Sequence, residues 1–396
     1  MNLNKSYPTW PYFADDECQA VQTVLSSGKV NYWTGEECKN FEKEFADYHG
    51  VEYAIALANG TLALELALKA LEIQPGDEVI VPARTFLGTA SAVIAVGATP
   101  ICADVDLDSQ GISVESIRSL INSKTRAIIV VHLAGWPCDM DTIMTLARDY
   151  NLRVIEDCAQ AHGARYKGKL VGTFSDIAAF SFCQDKIMST GGEGGMLIMN
   201  DLELWERAWS YKDHGKNFQK VTAPKKSVGF QWVHDRFGSN YRMTEMQAAI
   251  GRCQLRKLDQ WVEQRRQNAT HFAQLLSTSP LFRIPMPDEN YFNSYYKFYV
   301  FLNLDLMPPE YSRDRLLQEL SEIGVPVFSG ICPEIYCENA FVDLNLGPKK
   351  RLPNARHLGE TSLMFQVHPT LTASDISHMA ENVLEHVNQF VFALLS

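Results

Sequence analysis

Residues 52–83 read EYAIALANGTLALELALKALEIQPGDEVIVPA, and this stretch indicates the fold. Its first part, 52–60, is a short apolar run ending in Asn-Gly, which is typical of a buried strand. Residues 61–73 follow an apolar helical pattern, and after the turn QPGD a second apolar run covers 78–83. A strand, a helix and another strand in this order predict two parallel strands covered by the helix.

The same alternation continues on both sides of this unit. The hydrophobic patterns predict strands at 99–106, 126–135 and 153–159, and helices at 37–50, 89–97, 113–122 and 139–150. Repeated strand–helix units indicate an α/β fold with a mainly parallel sheet. After residue 179 the apolar runs become shorter, which favours antiparallel strands.

The rest of the chain predicts a second, smaller domain. A polar loop at 216–238 is long enough to indicate a functional segment or disorder. After it, a single helix is expected at 243–276 as a connector, followed by short strands at 295–302 and 325–330 and helices at 313–324 and 373–394. We therefore expect a large α/β domain at 1–255 and a smaller α+β domain at 256–396.

Composition and charge argue against several functional classes. The 396 residues carry a net charge of −11 and no basic block, so we expect no nucleic-acid binding. The nine cysteines are scattered and form no Cys-x-x-Cys motif, which predicts neither a disulfide framework nor a metal site and favours a reducing cytoplasm. We expect no signal peptide and no membrane contact, since no apolar segment approaches the roughly 20 residues that span a bilayer.

Polar residues stand where three of the predicted strands end. Asp157, Lys186 and the pair Gly60-Thr61 each follow an apolar run. Alone, each has an ordinary structural reading: a capping or salt-bridged aspartate, an exposed lysine and a plain helix N-cap. The carboxyl ends of parallel strands meet at one edge of a sheet, so their occurrence together favours a shared site.

Together these residues match the requirements of pyridoxal phosphate. A lysine forms a Schiff base with the aldehyde, and Lys186 is the candidate. A carboxylate such as Asp157 keeps the pyridine nitrogen protonated. The helix that begins at Gly60-Thr61 offers N–H groups and a hydroxyl to the phosphate. Phe86 can stack on the pyridine ring, although core packing is its alternative reading.

The motifs then resemble those of the DegT/DnrJ/StrS-type nucleotide-sugar aminotransferases, which are fold type I pyridoxal phosphate enzymes. The resemblance is strong over residues 8–260 and rests on ANGTLALELAL (58–68), VIEDCAQAHGA (154–164), FSFCQDKIMSTGGEGG (180–195) and GSNYRMTEMQAAIG (238–251). It implies a large parallel-sheet α/β domain, a smaller C-terminal α+β domain and a homodimer with shared active sites.

The resemblance also implies roles for individual residues. Lys186 is expected to be the Schiff-base lysine and the group that moves the proton. The other cofactor contacts that the family implies are Asp157, Gln160, Phe86, Gly60, Thr61, Ser181 and, reaching into the site of the other subunit, Asn240. A dehydratase branch carries histidine where Lys186 stands, so the lysine favours amino transfer.

The implied reaction moves an amino group from L-glutamate to a keto group on a nucleotide-linked sugar. Arg84 and Arg242 are candidates for the donor carboxylates, with interface salt bridges as their alternative reading. Trp33 and His214 are further substrate candidates, each also explained by a structural role. Several positions depart from the family pattern, so their roles stay open: Lys297, Phe328, Ser329 and Glu334-Ile335-Tyr336.

A 4-keto-6-deoxy hexose is the first candidate substrate and a C3-keto sugar the second. The product is expected to enter a surface polysaccharide, lipopolysaccharide or glycoprotein pathway. An alternative from another class is a regulator or scaffold that binds pyridoxal phosphate without turnover, because such a protein would retain the same cofactor residues.

Overall fold

The computed structural model describes residues 6–224, 229–308 and 311–395. Residues 225–228 of the predicted loop 216–238 lie outside this part of the chain. Its strands are β1 (Tyr53–Leu57), β2 (Glu78–Pro82), β3 (Thr99–Ala103), β4 (Thr125–Val131), β5 (Arg153–Asp157), β6 (Arg165–Tyr166), β7 (Lys169–Leu170), β8 (Ile177–Ser181), β9 (Gly195–Met199), β10 (Phe282–Arg283), β11 (Tyr291–Phe292), β12 (Phe298–Leu302), β13 (Val327–Phe328) and β14 (Ser362–Phe365).

Helices alternate with strands through most of the chain. They are α1 (Asp15–Ser27), α2 (Glu37–His49), α3 (Gly60–Ala70), α4 (Gly88–Ala95), α5 (Val114–Leu120), α6 (Met140–Asp149), α7 (Leu202–Lys212), α8 (Phe218–Thr222), α9 (Glu245–Leu255), α10 (Leu258–Leu276), α11 (Arg313–Glu322), α12 (Asn339–Val342), α13 (Pro353–Thr361) and α14 (Ala373–Leu395). Within the described ranges, no helix combines the length and the apolar character that crossing a membrane requires.

The large sheet has the strand order β1-β9-β8-β5-β4-β2-β3. The pairs from β8 through β5, β4 and β2 to β3 are parallel, while β9 runs antiparallel to both β1 and β8. The predicted α/β fold with a mainly parallel sheet is confirmed. Since β1, β5 and β8 run in the same direction, their carboxyl ends lie at one edge.

Helices cover both faces of this sheet because its strands are apolar on both sides. In β8, Ala179 packs with the core beside α3 and α7, whereas Ala178 and Phe180 pack with the core beside α2 and α9. Successive side chains of a strand point to opposite faces, so both layers bury residues from the same strand.

A second sheet lies in the C-terminal part of the chain. Its order is β10-β12-β14-β13, and its pairs are antiparallel. Phe298, Val300 and Phe365 from this sheet share a core with residues of α10 and α14. The short strand β11 instead pairs with β6. The boundary at residue 255 stays a prediction.

The single helix predicted at 243–276 is two helices, α9 and α10, separated at Arg256 and Lys257. The ammonium of Lys257 lies 2.7 Å from carboxylate oxygens of both Asp16 and Glu17 in α1. This break lets α9 pack with the core around α2 while α10 continues toward the core of the second sheet. Sequence periodicity did not reveal it because both halves are amphipathic.

Candidate active site

A cavity of about 900 Å³ opens where the carboxyl ends of β1, β5 and β8 meet. Such an edge is the usual place for ligand sites in parallel α/β sheets. The second sheet supplies the opposite wall with Tyr299, Phe328 and Met364. Among the described residues, the charged side chains that line the cavity are Asp157, Asp185, Lys186, Glu193 and Lys297.

Lys186 lies five residues beyond the end of β8, and its backbone is held on both sides. Its N–H donates to the carbonyl of Cys183 at 3.1 Å, and its carbonyl accepts from the indole N–H of Trp10 at 2.7 Å. The ammonium lies 4.8 Å from the centre of the Tyr296 ring. The side chain therefore enters the cavity from a fixed backbone.

Asp157 is the last residue of β5 and is almost fully buried. Its carboxylate accepts hydrogen bonds from the hydroxyl of Thr89 and the N–H of Ala159, both at 3.1 Å. Burial raises the pKa of Asp157, although these two bonds and the charge of Lys186 act in the opposite direction. A protonated pyridine nitrogen would supply the close cation that this carboxylate lacks.

An anion cradle lies at the N-terminus of α3. The first N–H groups of a helix have no partner within it, and Gly60 and Thr61 are the first residues of α3. Ser181 ends β8 beside them, and a Cβ added at Gly60 would lie 2.6 Å from its Cβ. The absence of a side chain at Gly60 therefore lets the start of α3 lie directly beside Ser181.

Phe86 and Gln160 border the space between the cradle and Asp157. The Phe86 side chain lines the cavity, and the residue is 66% exposed. The amide oxygen of Gln160 accepts from the N–H of Ala134 at 2.8 Å. Both residues line the cavity together with Lys186, Asp157 and the cradle, so the residues present fit pyridoxal phosphate.

The other predicted residues gather outside the cavity, around the buried carboxylate of Asp213. It accepts from the indole N–H of Trp33 and from the guanidinium of Arg242, each at 2.9 Å. A backbone bridge joins Asp213 to Asn240, and the N–H of His214 donates to the carbonyl of Ser239. The structure brings Trp33, His214, Asn240 and Arg242 together, but not into the cavity of their own chain.

Arg84 also lies away from the cavity and is 1% exposed. Its guanidinium donates to the side chains of Gln110 and Ser362, and burial lowers its pKa. Among the positions that depart from the family pattern, Lys297 and Phe328 line the cavity. The segment at 334–336 does not, and its buried Glu334 pairs with Arg351.

Sequence reasoning missed several residues of the cavity wall: Asp185, Tyr296, Tyr299, Met364 and Gln366. Only Asp185 had a local signal, because it directly precedes Lys186 in the chain. The others come from the C-terminal part, where no strand-end pattern pointed to them.

The arrangement defines a class of enzyme: aminotransferases that use pyridoxal phosphate on the type I fold, with lysine, carboxylate and anion cradle at one sheet edge. The chain belongs to the DegT/DnrJ/EryC1/StrS aminotransferase family, which its residues 11–384 match. The predicted family, enzyme class and cofactor are confirmed.

Individual relatives cover nearly the whole chain. The crystal structure of an aminotransferase from Psychrobacter cryohalolentis is 49% identical with a TM-score of 0.95, over 97% of this chain and 100% of that one. The GDP-perosamine synthase of Escherichia coli O157:H7 is 37% identical over 93% of each chain. A UDP-N-acetyl-3-dehydro-α-D-glucosamine 3-aminotransferase of Acidithiobacillus ferrooxidans is 37% identical over 91% of this chain and 92% of the relative.

We predict that Asp157→Asn lowers the rate of amino transfer on the order of 10²–10³-fold, because the neutral amide no longer stabilises a protonated ring nitrogen. Steady-state rates with an amino-acid donor measure the loss. Asp141→Asn is the matched control, since Asp141 is an exposed partner of Lys167 far from the described cavity lining. Equal rates for the two variants would contradict the role of Asp157.

Proposed function

We propose that this enzyme transfers the amino group of L-glutamate to a nucleotide-linked keto-sugar, first of all a 4-keto-6-deoxy hexose, for amino-sugar and surface polysaccharide biosynthesis in the cytoplasm. The observation that carries the proposal is a lysine, Lys186, facing a cavity that also holds Asp157 and the cradle at Gly60. The GDP-perosamine synthase and the 3-aminotransferase are relatives whose names contain nucleotide sugars, which supports this substrate class.

The cofactor, when bound, supplies an aldehyde that takes up an amino group and a ring that withdraws electrons from the reacting carbon. The chain's residues do the remaining work. Lys186 would hold the cofactor and, once the donor's amine has displaced it, would move a proton at the donor's Cα and later at the sugar carbon. Asp157 would bind the ring nitrogen, fixed in turn by Thr89 and Ala159.

The phosphate would lie against Gly60, Thr61 and Ser181, and Phe86 would cover the ring. These contacts hold the cofactor at one end of the cavity. The rest of the cavity, whose total volume is roughly 900 Å³, is bordered by an apolar wall of Phe328, Ile331 and Met364. That remaining space is where we place the 6-deoxy sugar, because a methyl group in place of a hydroxyl suits an apolar surface.

We predict that L-glutamate changes the visible absorbance of the purified enzyme and releases one equivalent of 2-oxoglutarate, and that Lys186→Ala abolishes both. Losing proton transfer alone costs about 10²–10⁴-fold in rate. Borohydride should fix the cofactor on wild type but not on Lys186→Ala. Lys167→Ala is the matched control, because Lys167 is an exposed partner of Asp141 and is not among the residues that line the cavity. A static spectrum with bound cofactor would favour the regulator or scaffold.

The position of amination can be tested with a panel of nucleotide keto-sugars. We expect the 4-keto-6-deoxy hexoses to gain one amino group by mass spectrometry, at a kcat/KM at least about 10-fold above that of C3-keto sugars, since poor positioning at the reacting carbon slows transfer. The name of the Acidithiobacillus relative contains a 3-dehydro sugar, so a C3-keto sugar is the second candidate. The reverse order of rates would replace the first candidate by the second.

We also propose a homodimer in which Asn240 reaches the partner's cofactor phosphate. The support is its position beside Asp213, outside the cavity of its own chain. In a mixed dimer of Lys186→Ala and Asn240→Asp subunits, one site keeps both groups, so activity should return to about half of wild type although both parents are impaired. Size-exclusion chromatography and differently tagged subunits isolate this species.

The control is a mixed dimer of Lys186→Ala and Asp157→Asn subunits. Both residues line one chain's cavity, so no site in this dimer is complete and activity should stay low. If the Asn240→Asp mixture also stays inactive, Asn240 serves its own subunit and the shared site is wrong.

A further inference from the structure

Lys297 is a second lysine that lines the cavity. It directly precedes β12, and its side chain is 13% exposed. Its ammonium lies 3.9 Å from a carboxylate oxygen of Asp185 and 4.7 Å from the centre of the Tyr296 ring. Neither contact is a hydrogen bond, and the ammonium makes none with any described residue. A buried ammonium with three free donors is costly unless an acceptor arrives.

The charges around the cavity leave few alternatives for an anionic substrate. Of the described residues that line it, only Lys186 and Lys297 carry a positive charge. Lys186 is committed to the cofactor in the proposed function. Arg84 binds Gln110 and Ser362 outside the cavity, and Arg242 binds Asp213. Within one chain, an anion that enters beside the cofactor therefore meets Lys297.

Asp185 and Tyr296 hold Lys297 in place. The hydroxyl of Tyr296 donates a hydrogen bond to the Asp185 carboxylate. The two lysine ammoniums lie at similar distances from the Tyr296 ring, 4.8 Å for Lys186 and 4.7 Å for Lys297. Burial lowers the pKa of Lys297 to about 8, against the attraction of Asp185, so an added carboxylate would stabilise its charged form.

We propose that Lys297 binds a carboxylate of the amino-acid donor. The inference rests on the proposed function, whose donor half-reaction it completes. The position of the ammonium supports a donor carboxylate over the diphosphate of the nucleotide sugar. Lys297 shares the Tyr296 ring with Lys186, and the donor's α-carboxylate is one bond from the carbon at which Lys186 would act. The diphosphate is separated from the sugar's keto carbon by several bonds.

Single-turnover kinetics of each half-reaction test this assignment. In Lys297→Met, we expect kcat/KM for the L-glutamate half-reaction to fall roughly 10- to 100-fold, the range for one charge-assisted hydrogen bond. The half-reaction with the nucleotide sugar should stay within about twofold of wild type, since its anionic group is bound elsewhere. Lys297→Arg keeps the charge and should recover part of the loss. L-Glutamine distinguishes the two carboxylates: an equal loss identifies the α-carboxylate and a smaller loss the γ-carboxylate.

Glutarate provides a second test that needs no amino transfer. This dicarboxylate has no amino group, so calorimetry on the holoenzyme reports binding alone, and its Kd should rise roughly 10-fold or more in Lys297→Met. Unchanged cofactor absorbance and borohydride fixation on Lys186 show that the variant has folded. Unchanged glutamate kinetics and glutarate affinity would overturn the inference, as would a loss confined to the sugar half-reaction. Wild type that does not react with L-glutamate but binds glutarate through Lys297 would instead contradict the proposed donor.

Discussion

Two buried carboxylates stand next to each other at the end of β5, and the site depends on how differently they are satisfied. Glu156 accepts from His132, from the backbone of Gly172 and from Ser175, among others. Burial acts to raise the pKa of Glu156, but these hydrogen bonds have the larger effect, so the net pKa is lowered. Among the described residues, the Asp157 carboxylate has two hydrogen-bond donors, and burial keeps its pKa raised. Glu156 therefore stabilises the fold, whereas Asp157 is left with room for a cationic ligand.

Much of the cofactor end of the site could be predicted because it depends on local order within parallel strands. Asp157, Lys186 and Gly60 lie at or just beyond the ends of three strands that run in the same direction, and the topology of the sheet brings these ends to one edge. Sequence alone supplied the strands and their polar ends. Strand β9 lies between β1 and β8 and runs antiparallel to both, so β1 and β8 still run in the same direction.

The opposite wall could not be predicted in the same way. Tyr296, Phe328 and Gln366 reach the cavity from the C-terminal part, more than 100 residues beyond Lys186 in the chain. Their placement follows from how the second sheet lies beside the first, which the hydrophobic periodicity of single strands does not predict. Arg84 is the opposite case, a residue predicted for the site that lies outside the cavity. A strand-end arginine was a reasonable donor contact, yet its guanidinium is turned toward Gln110 and Ser362.

The two walls of the cavity thus divide the chemistry. The first part of the chain presents the lysine, the carboxylate and the helix N-terminus that we assign to the cofactor. The C-terminal part presents Lys297 and Phe328, two of the positions whose roles the sequence left open. Since the cofactor end is common to many substrates, selectivity has to come from groups that face the remaining space. A cation beside Lys186 and an aromatic surface farther out would bind two substrates in turn: a small anionic donor close to the cofactor, and a larger, partly apolar acceptor across the same cavity.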